Sequence, residues 1–249
     1  MNGGPGGSRV MALAGRVPDS QARGVQVFAS AISAGAPELS GDCVQTLTRN
    51  SRLLEVPSAK VLFRQGHSTK DCYWVVRGLL KGSIAAADGE AIVVGLYGPG
   101  DLLGVPFADN LGQSLTIEAI SPCELTVIDC ASFQSTLQRH PEFARWLVST
   151  MIARMRETYA DAAARNMKVS GRVARALVKV ATLAGEPVDD QRIALPTILS
   201  QDVLASIAGV SRESTSRTLS DWRRLGIIER SVGYPIVVKM DWLRQEVSA

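Results

Sequence analysis

The chain has 249 residues, 46% of them apolar, which is enough for two domains with separate cores or for one large domain. Its formal net charge of +3 at pH 7 does not by itself indicate a nucleic-acid partner, so such a function must rest on local clusters of charge. No apolar run approaches the roughly 18 residues that a membrane span requires, and the N-terminus has no signal-peptide core, so we expect a soluble cytoplasmic protein without a membrane partner.

Residues 1–40 are rich in small residues and open with the turn-forming run NGGPGG at positions 2–7. They show little hydrophobic periodicity, as is typical of a segment without regular structure. We therefore predict a mobile N-terminal arm.

Across residues 41–140, short apolar runs alternate with glycine and aspartate turn signals. The runs are residues 61–63, 73–76, 83–86, 91–96, 115–117 and 124–128. Asp88 and Gly89 supply the Asp-Gly pair that favours a tight hairpin turn between the third and fourth runs. Short strands at such close spacing predict a small β-sandwich or barrel.

Four cysteines, Cys43, Cys72, Cys123 and Cys130, occur without a C-x-x-C pair, which argues against zinc-ribbon and thioredoxin-like sites. Cys123 and Cys130 fall in one strand-like stretch at an odd spacing that would point them to opposite faces. We therefore predict no metal site and expect reduced, partly buried thiols.

Helical periodicity begins near Pro141, a residue that suits the first helical position, and extends over residues 141–168. Residues spaced alternately by four and three form a coiled-coil-like seam, namely Val148, Ile152, Met155, Tyr159, Ala162 and Asn166. A second stripe, formed by Phe143, Leu147 and Met151, could pack against the strand domain. We interpret the segment as a dimerisation helix, and the spacing leaves open an ordinary long core helix.

Residues 169–249 form a second compact region that opens with an apolar helix and contains a helix-turn-helix pattern. Ser200 is a natural cap for one helix, Gly209 allows a sharp turn, and Ser211 caps a second helix that runs to about residue 225. The inward side of that second helix carries three residues, Thr215, Leu219 and Trp222.

The first turns of the second helix would enter a DNA major groove, and their outward residues are Arg212, Glu213, Ser216 and Arg217. Arginine can bind guanine bidentately, glutamate can accept from the cytosine amino group, and serine discriminates less. A surface that only neutralised phosphates would not need Glu213. The alternative for these residues is a solvated, salt-bridged helix face.

Two apolar runs around Gly233 follow, and they predict a β-hairpin wing behind the second helix. Arg230 could touch phosphate from this wing, a contact that positions the protein without reading sequence. We therefore assign seven residues to the DNA-facing set: Ser200, Ser211, Arg212, Glu213, Ser216, Arg217 and Arg230.

The chain resembles the cyclic-AMP receptor protein/fumarate-nitrate reduction regulator (Crp/Fnr) family from about Leu47 to the C-terminus. The resemblance rests on Gly66, Tyr73-x-Val75-x-x-Gly78, the block GPGDLLG at positions 98–104, GRVA at positions 171–174 and VSRE-x-x-SR at positions 210–217. It implies an α+β fold with an N-terminal β-roll (a cyclic-nucleotide-binding-like jelly roll), a long dimerisation helix and a C-terminal winged helix-turn-helix. It also implies a homodimer on a palindromic double-stranded DNA site, and activation would require contact with RNA polymerase.

The sensor end departs from the family pattern. The cyclic-AMP branch carries a glutamate for the ribose and an arginine for the phosphate, where this chain has Val105 and Gln113, while Gly104 and Ser114 are retained. A phosphate without the arginine loses a bidentate, charge-assisted partner, so we do not expect cyclic AMP. The sequence leaves open whether the pocket binds another small molecule or no ligand at all.

Two other sensing cofactors are not expected. Residues 1–42 contain no cysteine, which argues against the iron–sulfur cluster of the oxygen-sensing branch. A haem would need an axial ligand, and His67 and His140, the only histidines, are predicted to be exposed loop residues.

Two other classes of function compete with a transcription factor. One is a ligand-binding or interaction module that has lost DNA binding, and the intact Arg212, Glu213 and Arg217 argue against it. The other is an enzyme, for which the sequence offers no Ser-His-Asp order and no phosphate-binding glycine loop with its lysine.

Overall fold

A computed structural model describes residues 38–86, 89–104, 112–195, 199–231 and 234–248, with only the backbone described at 230, 231, 234 and 235. The predicted arm therefore lies almost entirely outside the described residues, as does Val105.

The first region is an eight-stranded β-roll flanked by two helices. Its elements are α1 (Gly41–Thr48), β1 (Arg52–Val56), β2 (Val61–Phe63), β3 (Asp71–Arg77), β4 (Leu80–Ala85), β5 (Ala91–Tyr97), β6 (Leu102–Leu103), β7 (Thr116–Ala119), β8 (Cys123–Asp129) and α2 (Cys130–Arg139). The strands form two antiparallel sheets in the orders β1-β8-β3-β6 and β2-β7-β4-β5. Inward side chains of both sheets, such as Val75, Leu125 and Ile117, share one apolar core, so the predicted small β-sandwich is confirmed.

The predicted hairpin between the third and fourth runs is present as β4 and β5, which pair antiparallel. Gly89 has a φ of +85°, in the left-handed region that favours glycine, and its N–H donates to the carbonyl of Ala86. Asp88 itself lies outside the described residues.

The helices at both ends of the β-roll were not predicted. Cys130 was placed in a strand, but it begins α2, because the Asp129 carboxylate accepts from the amide N–H of Ser132 at 2.8 Å and caps a helix there. Cys43, Cys72 and Cys123 are buried, and all four cysteines are free thiols.

A 24-residue helix, α3 (Pro141–Ala164), follows directly and packs its first turns on the outer side of the β3-containing sheet. Trp146 stacks on Trp74 with ring centroids 5.1 Å apart, and Phe143 is buried beside them. The helix ends four residues before the predicted boundary at 168, so Asn166 lies in the following turn. Among the described helices, none is both long and apolar enough to cross a membrane.

The opposite face of α3 is apolar and exposed in the single chain. Five large side chains on it, Val148, Met151, Ile152, Met155 and Tyr159, are 44–64% exposed. The assignment of Met151 to the stripe against the strand domain is therefore wrong. Trp146 and Thr150 are buried there beside Phe143 and Leu147, because they lie on the same side of the helix.

The C-terminal region contains α4 (Val169–Ala184), β9 (Glu186–Pro187), β10 (Arg192–Ala194), α5 (Gln201–Ala208), α6 (Arg212–Arg224), β11 (Ile228–Ser231), β12 (Tyr234–Lys239) and α7 (Met240–Ser248). The four short strands form one antiparallel sheet in the order β11-β12-β10-β9. The core of this region also takes in Leu79, Leu96 and Ile120 from the β-roll. The two regions are therefore packed together through a shared apolar cluster.

One arginine of α3 connects the helix to the β-roll. Arg154 places Nη2 2.5 Å from the carboxylate of Asp101, which is fully buried. Its Nη1 donates to the carbonyl of Leu96 at 2.7 Å, and its guanidinium lies 4.4 Å from the ring centre of Tyr97. Charge, hydrogen bond and cation–π contact thus meet on a single side chain.

The same arginine begins a polar chain that reaches the C-terminal region. Glu157 lies 3.0 Å from Arg154 on α3 and 3.0 Å from Lys179 on α4. Asp161, one turn later on α3, pairs with both Lys179 and Arg175. We call Asp101, Arg154, Glu157, Asp161, Arg175 and Lys179 the junction network.

Candidate nucleic-acid interface

The helix-turn-helix is built by local capping, as the sequence predicts. The Ser200 hydroxyl accepts from the amide N–H of Val203 at 3.2 Å and starts α5. Gly209 ends the helix with a φ of 62°, and the N–H of Val210 returns to the carbonyl of Ala205 at 3.1 Å. The same carbonyl also accepts from the N–H of Gly209, so two bonds close the last turn of α5.

Arg172 of α4 holds the turn from behind. Its Nε donates to the carbonyl of Ala208 at 3.1 Å, and its Nη2 donates to the carbonyl of Gly209. A cation at the C-terminal end of a helix is favoured by the exposed carbonyls and the helix dipole. A Cβ at Gly209 would lie 2.7 Å from Arg172 Nη2 and would displace the end of that side chain, while the positive φ is what favours glycine here.

The second helix, α6, is fixed by its cap and by its buried side. The Ser211 hydroxyl accepts from the N–H of Ser214 at 3.2 Å. Thr215, Leu219 and Trp222 are buried as predicted, and Trp222 meets Trp242 of α7 edge to face at 5.2 Å. The outward side chains are thus carried by a helix with one defined orientation.

The outward face has the composition that the sequence predicts. Arg212, Glu213 and Arg217 are exposed and Ser216 is half-buried. They line a shallow surface depression together with Gln201 of α5 and Ser220. Sequence reasoning missed these last two, although Ser220 continues the helical spacing of 213, 216 and 217.

Glu213 is held in its charged form. Its own backbone N–H, the Ser211 hydroxyl and the charge of Arg212 keep the pKa of this carboxyl below its usual value. Arg212 itself lies 3.4 Å from Asp202 on α5, with both side chains two-thirds exposed. The face therefore combines hydrogen-bond donors with an ionised acceptor.

The wing is present as β11 and β12, which pair antiparallel. Ile228 and Val238 are buried from the two strands and anchor it to the core behind α6. The side chain of Arg230 and the whole of Gly233 lie outside the described residues, so their contact with phosphate stays a prediction.

The predicted sensor residues are only partly brought together. Gly104 is buried with a φ of +69°, Ser114 is exposed and Gln113 is half-buried. The side-chain amide of Gln113 donates to the Thr69 hydroxyl at 2.7 Å, and its backbone N–H donates to the carbonyl of His67. Gln113 is therefore tied to the loop that follows β2.

One histidine prediction holds and the other is wrong. His67 is exposed, whereas His140 is 8% exposed because it lies between α1 and the start of α3. Cys43, His140 and Glu142 place one potential ligand atom each within 4.8 Å of one another, a metal-type cluster that sequence reasoning missed. Burial, with the charges of Glu142 and Asp42, raises the pKa of the Cys43 thiol to about 11.

Comparison with known proteins agrees with this architecture. A model of the Crp-like helix-turn-helix domain matches residues 171–246, and a model of the cyclic nucleotide-binding domain matches residues 53–140. Together they confirm the predicted α+β arrangement of β-roll, helix and winged helix-turn-helix.

Curated relatives are similar over most of their length. A "CRP-like cAMP-activated global transcriptional regulator" of Mycobacterium tuberculosis is 24% identical over 74% of this chain and 83% of its own. A "probable transcriptional activator" of Rhizobium leguminosarum bv. viciae is 28% identical over 85% and 88%. Among solved structures, FixK2 from Bradyrhizobium japonicum has the same fold, with a TM-score of 0.68 at 20% identity, over 80% of this chain and 98% of that one.

Proposed function

Since the chain belongs to the Crp/Fnr family of transcriptional regulators, we propose that it binds an inverted-repeat operator as a homodimer and reads base edges with α6. The observation that carries this proposal is the exposed face of α6, where the ionised Glu213 lies among Arg212 and Arg217 in the first turns of a rigidly capped helix.

Base reading explains this mixture of charges better than phosphate binding does. Arg217 can donate two hydrogen bonds to the N7 and O6 of a guanine, and Glu213 can accept from the amino group of a cytosine. Glu213 would repel phosphates, so it would weaken a surface that only bound the DNA backbone. We expect a half-site with G·C pairs in a TGTGA-like or TTGA-like core.

The homodimer is inferred from α3. Its exposed apolar side chains lie on the side of the helix opposite the buried residues Phe143, Trp146 and Thr150, so a second copy can approach without disturbing the β-roll. Isologous pairing of two such faces gives a two-fold axis, which matches the symmetry of a palindrome. The two copies of α6 would then lie about 34 Å apart, one turn of DNA.

We also infer that the β-roll does not bind cyclic AMP through an arginine–phosphate contact. Gln113 stands where the cyclic-AMP branch carries that arginine, and its amide is already engaged with Thr69. Val105 stands at the position of the ribose-binding glutamate, but it lies outside the described residues, so it supports this inference from the sequence alone. Calorimetry of the purified protein should detect no tight binding of cyclic AMP, and tight binding would contradict this inference.

We further expect a non-catalytic role in the cytoplasm, in keeping with the names of the curated relatives as regulators. No iron–sulfur cluster or haem is part of the proposal. Where binding activates transcription, contact with RNA polymerase is required.

Replacing Arg217 with alanine tests base reading. On an operator selected from random-sequence DNA, we expect Arg217→Ala to lose about 1–3 kcal/mol of binding free energy and to relax the preference at one base pair. Fluorescence anisotropy on the operator and on random DNA measures both effects. Arg224→Ala, at the far end of the same helix, should leave the base preference unchanged. Equal losses for Arg217→Ala on both DNAs would contradict the proposal.

A charge on the exposed face of α3 tests the homodimer. Ile152→Asp places two carboxylates in the proposed two-fold interface, where burying them is strongly unfavourable. We expect a monomer by analytical ultracentrifugation and loss of binding to the inverted repeat. Ala160→Asp adds the same charge to an exposed position off this face and should remain dimeric. A dimeric Ile152→Asp protein would refute the interface.

A further inference from the structure

Two parts of the chain almost 100 positions apart bring a thiol, an imidazole and a carboxylate together. Cys43 lies in the first turn of α1, His140 is the residue between α2 and α3, and Glu142 lies in the first turn of α3. Their ligand atoms all lie within 4.8 Å of one another. This cluster is separate from the α6 surface and from the predicted sensor residues.

The cluster is built, with each donor held by its surroundings. Cys43 is fully buried and His140 is 8% exposed, while the carboxylate of Glu142 faces the edge of the site. The Ser40 hydroxyl donates to Oε1 of Glu142 at 2.9 Å and orients it. Such outer hydrogen bonds to ligand side chains are a regular feature of metal sites.

The histidine ring is oriented for coordination through Nδ1. Its Nε2 lies 3.1 Å from the hydroxyl oxygen of Thr46, which can accept the Nε2 proton. In that tautomer, the lone pair of Nδ1 lies 3.4 Å from Oε1 of Glu142, where a cation would bind both atoms. Without a metal, the other tautomer donates its Nδ1–H to this carboxylate.

The spacing fits a tetrahedral ion. With zinc bonds of about 2.0–2.3 Å to nitrogen, oxygen and sulfur, two ligand atoms lie about 3.4–3.6 Å apart. The Nδ1–Oε1 separation of 3.4 Å already has this value. The sulfur of Cys43 lies within 4.8 Å of a ligand atom of each partner, so it has to approach by at most about 1.4 Å.

We propose that Cys43, His140 and Glu142 form a binding site for a zinc-type divalent cation. A sulfur, a nitrogen and an oxygen donor suit borderline-soft Zn²⁺, whereas Mg²⁺ and Ca²⁺ prefer oxygen donors alone. The thiol gives its proton to solvent as the metal binds, and water completes the fourth position. The nearby Asp42 carboxylate, 3.9 Å from His140 Nε2, adds negative charge at the rim.

A metal bound at this position would affect how the helices pack. A bound ion would link α1 to the junction of α2 and α3, where the proposed dimerisation helix begins. Zinc would therefore stabilise the packing of α1 against the base of that helix. Because a ligand that binds only the folded state raises its stability, the unfolding temperature should rise with zinc concentration.

Metal titration of the full chain, after removal of metals with a chelator, tests the proposal. We expect one Co²⁺ per chain with a thiolate-to-cobalt charge-transfer band, and displacement of that band by Zn²⁺. Cys43→Ser should abolish the band and weaken zinc binding by at least about tenfold. That factor is the smallest loss typical for removing a residue that only hydrogen-bonds a metal ligand. Cys72→Ser is the matched control, because Cys72 is equally buried in the same apolar cluster, and it should keep both properties.

Several results would overturn the site. These are the absence of the charge-transfer band in the unaltered chain, a band that persists in Cys43→Ser, and equal losses in the two cysteine variants. If Cys43→Ser does not fold, Glu142→Gln at the edge of the site provides the second variant. It should weaken zinc binding at least about tenfold and abolish the rise in unfolding temperature. Unchanged affinity in Glu142→Gln would also reject the proposal.

Discussion

The placement of α3 on the β-roll depends on the ion pair between Arg154 of α3 and the buried Asp101 of the β-roll, at 2.5 Å. A buried carboxylate is tolerated only where a cation and hydrogen bonds compensate it, and the amide N–H of Gly98 supplies a further bond at 2.8 Å. Arg154 fixes the middle of α3 against the β-roll through Asp101, the carbonyl of Leu96 and the ring of Tyr97. The first turns of α3 are held by the packing of Phe143, Trp146 and Leu147.

The rest of the junction network joins α3 to the region that carries the helix-turn-helix. Glu157 and Asp161 of α3 pair with Lys179 and Arg175 of α4, and one turn earlier on α4, Arg172 holds the turn between α5 and α6. The ion pairs thus join α3 to α4, and Arg172 of α4 in turn holds the turn that precedes α6. The exposed apolar face of α3 lies on the other side of the helix, so a partner copy would leave these contacts intact.

The features that could be predicted well from the sequence are those set by residues close together in the chain. Ser200, Gly209 and Ser211 define the helix-turn-helix because caps and a left-handed glycine act within a few residues. The strands were found through their turns, except β1, β6, β9 and β10, of which all but β1 have only two or three residues. His140 was misjudged because its burial depends on α1, almost 100 positions away. The pairing of Arg154 with Asp101 was missed for the same reason, because nothing in the sequence around either residue indicates the other.

Chemical unfolding of two arginine variants tests the role of the Arg154–Asp101 pair most directly. Arg154→Met removes the cation that pairs with the buried Asp101 carboxylate, and we expect a loss of about 3–5 kcal/mol in the free energy of unfolding. Arg156→Met, an exposed neighbour on the same helix, should change it by no more than about 0.5 kcal/mol. If both variants unfold at the same denaturant concentration as the unaltered chain, the ion pair does not hold α3 on the β-roll.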